Sequence, residues 1–320
     1  MFTVEEANQL RDGLPEIDFE TPASSDSVTQ SYLKHYGLNF NSDKLDVTHY
    51  LGCFLSGQFK IACQYFALPI ENQKATMVLV HGYYDHVGLY GHLIKHCLIN
   101  GYSVLTFDLP GHGLSSGAAA SIDNFNQYSD VLADCLEQAN RHGITKPWYV
   151  TGQSTGAAIL INYFLKAQQL SPVHFDKIIF LAPLLRPANW MRATLLYNLF
   201  RFFIKKTKRD FTPNSHDKEF SKFILEQDPL QTHFLAVGWV GSLKHFLADF
   251  ADARKSEEVI HIVQGTKDST VDWRYNLPKL LEKFPNGKTY LIDGAEHHMV
   301  NEVTEIREMI FAKMDTILEQ

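Results

Sequence analysis

The chain has 320 residues, 45% of them apolar and 20% charged, with a net charge of −7 at neutral pH. That length admits one large α/β domain or two ordinary ones, and the composition is that of a soluble globular protein. Basic residues spread through an acidic chain exclude nucleic acid as the main partner, because phosphate binding needs a basic face.

The first residues, Met1 to Glu6, carry neither a basic stretch nor an apolar one, so no signal peptide is expected. No apolar run is long enough to span a bilayer. Cys53, Cys63, Cys97 and Cys135 show no C-x-x-C spacing and fall in expected strands and helices. They are read as buried free thiols of a cytoplasmic protein, with no disulfide, metal or cofactor expected.

Up to about Ser42 the sequence mixes Pro, Ser, Asp and Glu with short amphipathic pieces, and it is read as an irregular, packed leader. Asp46 to Phe54 and Gln58 to Leu68 are two expected strands joined at Leu55-Ser56-Gly57, a hairpin. From Ala75 strands alternate with helices, which implies a mostly parallel sheet covered on both faces. Thr76–Val80 is the first such strand and leads into His81-Gly82 and a helix through Leu98. Ser103–Phe107 is the next, ending at Asp108-Leu109-Pro110-Gly111-His112-Gly113. A helix is expected over roughly Ile122 to Ala139.

The strand at Trp148–Thr151 then runs into Gly152-Gln153-Ser154-Thr155-Gly156 and directly into a helix-forming run. This is G-x-S-x-G between a strand and a helix, a turn that lifts the serine hydroxyl above the sheet edge. Ser154 is the expected nucleophile. A serine hydroxyl needs a histidine base oriented by a carboxylate, each on a loop after a strand. After the strand Val259–Val263, the loop Gln264-Gly265-Thr266-Lys267-Asp268 offers Asp268, with Asp272 read as a first-turn helix acid. After Thr289–Ile292, Asp293-Gly294-Ala295-Glu296-His297-His298 offers two adjacent histidines, which position alone does not separate. The oxyanion hole needs two donors, expected from the backbone N–H groups of Thr155 and Tyr83.

Between Ala182 and about Ala253 the alternation breaks into a helical, aromatic and basic insertion, read as a cap. The expected organisation is a leader and hairpin (1–75), a core (76–181 and 254–320) and a cap (182–253). Read as a helix, Trp190 to Ile204 gathers Thr194, Asn198, Arg201 and Lys205 into one narrow polar stripe. A helix packed on one side needs an apolar face only about 100° wide, and this one has much more. A second surface must then be covered by substrate, another cap element, a partner subunit or a membrane, and Leu196, Phe200 and Phe203 are expected to wall the substrate site. Lys205, Lys206, Lys208 and Arg209 follow, a pairing that suits an anionic interface, so peripheral membrane contact through the cap is a further expectation.

The motifs His81-Gly82-x-x-Asp85-His86, Asp108-x-x-Gly111-His112-Gly113-x-Ser115, Gly152-x-Ser154-x-Gly156, Gly265-x-x-Asp268 and Gly294-Ala295-x-His297 occur in this order. In order and spacing they resemble the monoacylglycerol lipase and lysophospholipase-like branch of the α/β-hydrolases, sometimes described as serine-aminopeptidase-like. The similarity runs from about Thr76 to the end and is weakest in the cap. It implies an α/β-hydrolase fold with Ser154 as nucleophile, Asp268 as acid, His297 as base, and Tyr83 and Thr155 as oxyanion donors. It also implies hydrolysis of a small lipid ester. The family usually has a small residue at the position of Tyr83, and its elbow often reads G-H-S-M-G.

Two alternatives compete: an aminopeptidase of the same fold, and a hydrolase-fold binding protein without activity. Such peptidases typically carry H-G-G-P-G and G-x-S-W-G, which are absent here. Inactive relatives usually lack a triad member, whereas all three residue types are present.

Overall fold

The computed structural model describes residues 2–43, 45–167, 173–209 and 211–320. The leader is more regular than its composition suggests, with helices α1 (Val4–Gly13) and α2 (Ser27–His35). Local capping explains both. Thr3 and Glu6 form a reciprocal capping box, and the Asp26 carboxylate accepts from the N–H groups of Val28 and Thr29. The T-x-x-E signal was present in the sequence at Thr3–Glu6.

The hairpin strands are β1 (Thr48–Ser56) and β2 (Phe59–Ala67), paired from Thr48↔Ala67 to Ser56↔Phe59. The core adds β3 (Ala75–Val80), α3 (Gly91–Ile99), β4 (Tyr102–Phe107), α4 (Asn126–Arg141), β5 (Trp148–Gln153), α5 (Thr155–Ala167) and β6 (Lys177–Leu181). The inserted segment contains α6 (Trp190–Phe200), β7 (Lys206–Lys208), α7 (Lys218–Glu226), β8 (Phe234–Ala236) and α8 (Val237–Asp252). Core elements resume with β9 (Ile260–Gly265), α9 (Trp273–Lys283), β10 (Lys288–Ile292) and α10 (Thr304–Leu318).

Among the described residues the main sheet has eight strands in the order β1-β2-β4-β3-β5-β6-β9-β10. β2 runs antiparallel to β1 and β4, and the remaining neighbours are parallel. Because β2 lies inside the sheet with both faces covered, its residues are almost continuously buried, which explains its imperfect alternation. Successive side chains of β3 serve two cores. Met77 and Leu79 belong to the same buried cluster as residues of α2, α3 and α10, while Val78 and Val80 belong to the one that includes residues of α4, α5 and α8. The strands' carboxyl ends thus converge on one edge, where loops are free to carry chemistry.

The insertion is not purely helical. β7 and β8 pair as a short antiparallel ribbon, Lys206↔Ala236 to Lys208↔Phe234. The helix expected to reach Ile204 stops at Phe200 and turns through Arg201–Phe203, so Arg201 and Lys205 do not continue a helical stripe.

Candidate active site

Ser154 stands between β5 and α5 with φ +54°, in the left-handed region that costs a non-glycine residue about 1–3 kcal/mol. Its backbone is held from both sides. The Ser154 N–H donates to the Leu181 carbonyl at 2.8 Å, and its carbonyl accepts from Leu184 N–H at 3.1 Å. Gly156 permits the sharp turn, because a Cβ there would collide with the Val80 carbonyl.

The loops after β9 and β10 bring an acid and a base to the same point. Gly265 lets them approach, since a Cβ there would strike the Ala295 carbonyl. Lys267 N–H donates to that carbonyl at 3.0 Å. His297 Nδ1 lies 2.8 Å from Asp268 Oδ2, and its Nε2 lies 2.9 Å from Ser154 Oγ. A carboxylate can only accept, so Nδ1 carries the proton, Nε2 offers its lone pair, and the serine hydroxyl donates to it. Asp268 Oδ1 accepts from Thr270 N–H at 2.8 Å and Val271 N–H at 3.1 Å, and Oδ2 from Gln264 Nε2 at 3.0 Å.

Burial alone would raise the Asp268 pKa, but the facing His297 and these hydrogen bonds outweigh it and hold the carboxyl below its ordinary value. For His297 burial works downward, and the Asp268 charge and hydrogen bond, with Asp85 behind them, lift the imidazole above its ordinary value. Both shifts favour the ion pair His297⁺–Asp268⁻, the pairing that a proton leaving Ser154 would create.

His298, which position alone left equivalent to His297 but the family resemblance did not choose as base, turns the other way. Its Nε2 lies 3.2 Å from Asp85 Oδ1, and its backbone N–H donates to the Asn214 carbonyl at 2.8 Å. Asp85 also accepts from Tyr90 Oη at 2.8 Å, and that hydroxyl accepts from Gly82 N–H at 3.0 Å. The His81-Gly82 loop is therefore fixed from below. His81 Nε2 accepts from Leu109 N–H at 2.9 Å, and burial pushes its pKa down to about 3, which keeps the ring neutral. Asp108 receives the N–H groups of Val87 and Leu114. The histidine and aspartate of these two motifs thus shape loops and do not reach Ser154. Asp272 pairs with Arg186 at 2.5 Å at the start of α9.

Tyr83 and Thr155 both border the cavity that contains Ser154, a space of about 410 Å³. Thr155 opens α5, so its N–H is one of the first-turn donors that no helical carbonyl can meet. Tyr83 is anchored by its hydroxyl on the Ala120 carbonyl at 2.7 Å and by stacking on Trp239, with ring centroids 4.0 Å apart. Leu184, Pro187, Leu235, Trp239 and Val271 supply apolar wall, and Arg209 a half-buried cationic side chain.

Leu196, Phe200 and Phe203 are not part of that wall, against the sequence expectation. They are 45%, 45% and 84% exposed. The inner side of α6 is used against α8, where Tyr197 fits over Gly241, and this turns the apolar remainder outward. The wall comes instead from β8 and α8, through Leu235 and Trp239. Nothing in their spacing distinguished these residues from ordinary core.

A family described as serine aminopeptidase, S33 (Hydrolase_4) matches residues 71–304. The chain belongs to this family. The S33 match covers β3 to the start of α10 and therefore includes the elbow and both later loops. The chain is 26% identical over 273 residues to a monoglyceride lipase homolog of Monkeypox virus, covering 80% of this chain and 93% of that one. It is 24% identical to a probable lysophospholipase L2 of Haemophilus influenzae, over 83% of this chain and 91% of the relative. Six further relatives align over 12–41% of their own length. A solved monoglyceride lipase from Saccharomyces cerevisiae superposes with a TM-score of 0.69 at 19% identity, covering 83% of this chain and 92% of that one. The S33 member described here accordingly has the α/β-hydrolase fold.

Proposed function

We propose that this chain is a serine hydrolase that cleaves carboxylic esters of single-acyl lipids through an acyl-enzyme. The observation that carries the reading is the Ser154–His297–Asp268 relay opening on a largely apolar cavity of about 410 Å³. Relatives named for monoglyceride and lysophospholipid hydrolysis support that substrate class.

In this mechanism Ser154 Oγ attacks the ester carbonyl carbon and its proton passes to His297 Nε2. The oxyanion receives the N–H groups of Tyr83 and Thr155, a contribution of about 3–4 kcal/mol per donor. The C–O bond to the alcohol breaks, and the alcohol leaves with the proton from His297. Water then attacks the acyl-Ser154 carbonyl while His297 takes its proton; the acyl C–Oγ bond breaks, His297 returns the proton to Ser154 Oγ, and the fatty acid departs. Asp268 holds the ring in the Nδ1–H tautomer throughout.

Residues 182–253 serve as the cap over the site, 76–181 and 254–320 as the catalytic core, and 1–75 as a leader and hairpin fused to it. The outer face of α6 and the turn after it expose Met191, Leu195, Phe202 and Phe203 beside Arg192, Arg201, Lys205 and Lys206. This face rests on an anionic lipid surface in our reading. Among the described residues no helix is long and apolar enough to cross a membrane. The four cysteines are free and buried, which supports a cytoplasmic placement.

Hydrolysis rates on monoacylglycerols, lysophospholipids, acetate esters and an aminoacyl amide test the reading together. Turnover of the lipid esters that disappears in Ser154→Ala is expected. Turnover of the amide alone would replace this reading with the aminopeptidase one.

A further inference from the structure

Arg209 leaves the end of β7 and borders the same cavity as Ser154. Its Nη1 donates to Gln231 Oε1 and, at 3.2 Å, to the Thr232 carbonyl. The guanidinium carbon lies 3.9 Å from the Tyr84 ring centroid and 4.3 Å from that of Phe211. Among the described residues no acceptor meets Nε or Nη2, and no carboxylate pairs with the group. The carboxylates that it feels are committed elsewhere: Asp85 to Tyr90 and His298, Asp228 to Tyr36, His86 and Gln231. Burial lowers its pKa, yet a guanidinium stays charged in any protein setting. A half-buried charge that meets no counter-ion among the described residues is costly until an anion arrives.

We propose that Arg209 binds the phosphate of a glycerophosphate head group, which makes the preferred ester a lysophospholipid and not a neutral monoacylglycerol. The proposal rests on the ester-hydrolase reading of the site. Nε and Nη2 form the side of the guanidinium fork that matches two phosphate oxygens, and the two rings fix its plane. Lys208 borders the cavity as well, on its exposed side, and adds to the positive field. Asp85 is the opposing carboxylate in the cavity. Its two carboxylate oxygens are taken by Tyr90 and His298, so neither is bonded to the fork. A glycerophosphate ester would thus place its acyl carbonyl at Ser154 and its phosphate at Arg209 within one cavity.

The test uses the full chain and two soluble substrates with the same six-carbon acyl group, a 1-acylglycerol 3-phosphate and a 1-acylglycerol. Below their aggregation limits, attraction to a charged interface does not enter. The wild type is expected to have the higher kcat/KM on the phosphate substrate. Arg209→Gln should lower the phosphate-to-neutral ratio roughly 10- to 100-fold, the effect of losing a charge-assisted bidentate contact. Arg209→Lys should fall between the two, and Lys222→Gln, an exposed cap cation, should leave the ratio unchanged. Calorimetry on Ser154→Ala should show glycerol 3-phosphate binding more tightly than inorganic phosphate, with both weakened by adding Arg209→Gln. Equal losses on both substrates, or a wild-type preference for the neutral ester, would overturn the proposal while the hydrolase reading stands. Hydrolysis of neither ester would overturn both.

Discussion

His298 Nε2 lies 3.2 Å from Asp85 Oδ1, on the side of the His81-Gly82 loop, while the preceding residue faces Ser154. Two adjacent histidines on one loop are thus divided between two tasks. His297→Ala is expected to reduce kcat by about 10⁴–10⁶, as loss of a triad member does. His298→Ala should cost about 10-fold or less, through a looser oxyanion loop. Steady-state rates on one soluble ester decide the ranking, and the opposite order would transfer the role of base to His298.

The two aspartates should differ as sharply. Asp268→Asn keeps the shape but leaves an amide that can present N–H to the imidazole and select the wrong tautomer, so kcat should fall about 10⁴-fold. Asp272 makes a partly exposed pair with Arg186, worth about 0–1 kcal/mol. Asp272→Asn should therefore leave kcat within about 3-fold and change thermal stability little. Comparable loss of turnover in both variants would leave the carboxylate unassigned.

The pH dependence follows from His297. The base must be neutral to accept the serine proton, so kcat/KM should fall as pH drops through its pKa, which the buried Asp268 charge raises. Asp268→Asn removes that support, and the acid limb of its residual activity should move to lower pH. Stability carries the matching signs. The raised His297 pKa stabilises the fold below its unfolded value of about 6.5, and this gain is lost as pH rises through the folded pKa. The lowered Asp268 pKa stabilises the fold above about 3.9, and that gain is lost as pH falls through the folded pKa. A pH–rate profile of the asparagine variant with its acid limb unmoved would contradict the assigned coupling.

The division between cavity wall and outer surface gives a separate prediction. Phe203→Asp and Leu196→Asp should leave hydrolysis of soluble esters unchanged across chain lengths, because both side chains stand outside the cavity. The same variants should co-sediment less with anionic vesicles at low salt. Leu235→Asp and Trp239→Ala alter the wall itself and should depress long-chain esters about 10-fold more than acetate esters, consistent with several lost methylene contacts. Chain-length selectivity lost in Phe203→Asp but kept in Trp239→Ala would reverse the placement.

What the sequence by itself determined was carried by short-range pattern. The apolar runs at Thr76–Val80, Ser103–Phe107 and Trp148–Thr151 required a buried parallel sheet, since each is too apolar to face water on either side. The strand-to-helix passage through Gly152-Gln153-Ser154-Thr155-Gly156 placed Ser154 at a turn, because backbone crowding there admits little besides glycine on both flanks. Position along the loop did not say which histidine faces Ser154; the motif resemblance pointed to His297, and the tertiary structure supplies the physical reason. His297 and His298 share a loop and a residue type, and their difference arises from Asp85 and Asn214, both distant along the chain. The tertiary structure alone decided the cavity wall. Leu196 and Phe203 are as apolar as Leu235 and Trp239, and only the packing of Tyr197 over Gly241 turns one pair outward while β8 and α8 carry the other inward. Hydrophobic burial is non-directional, so a sequence reveals that apolar surface must be covered, and only the assembled cap determines by what.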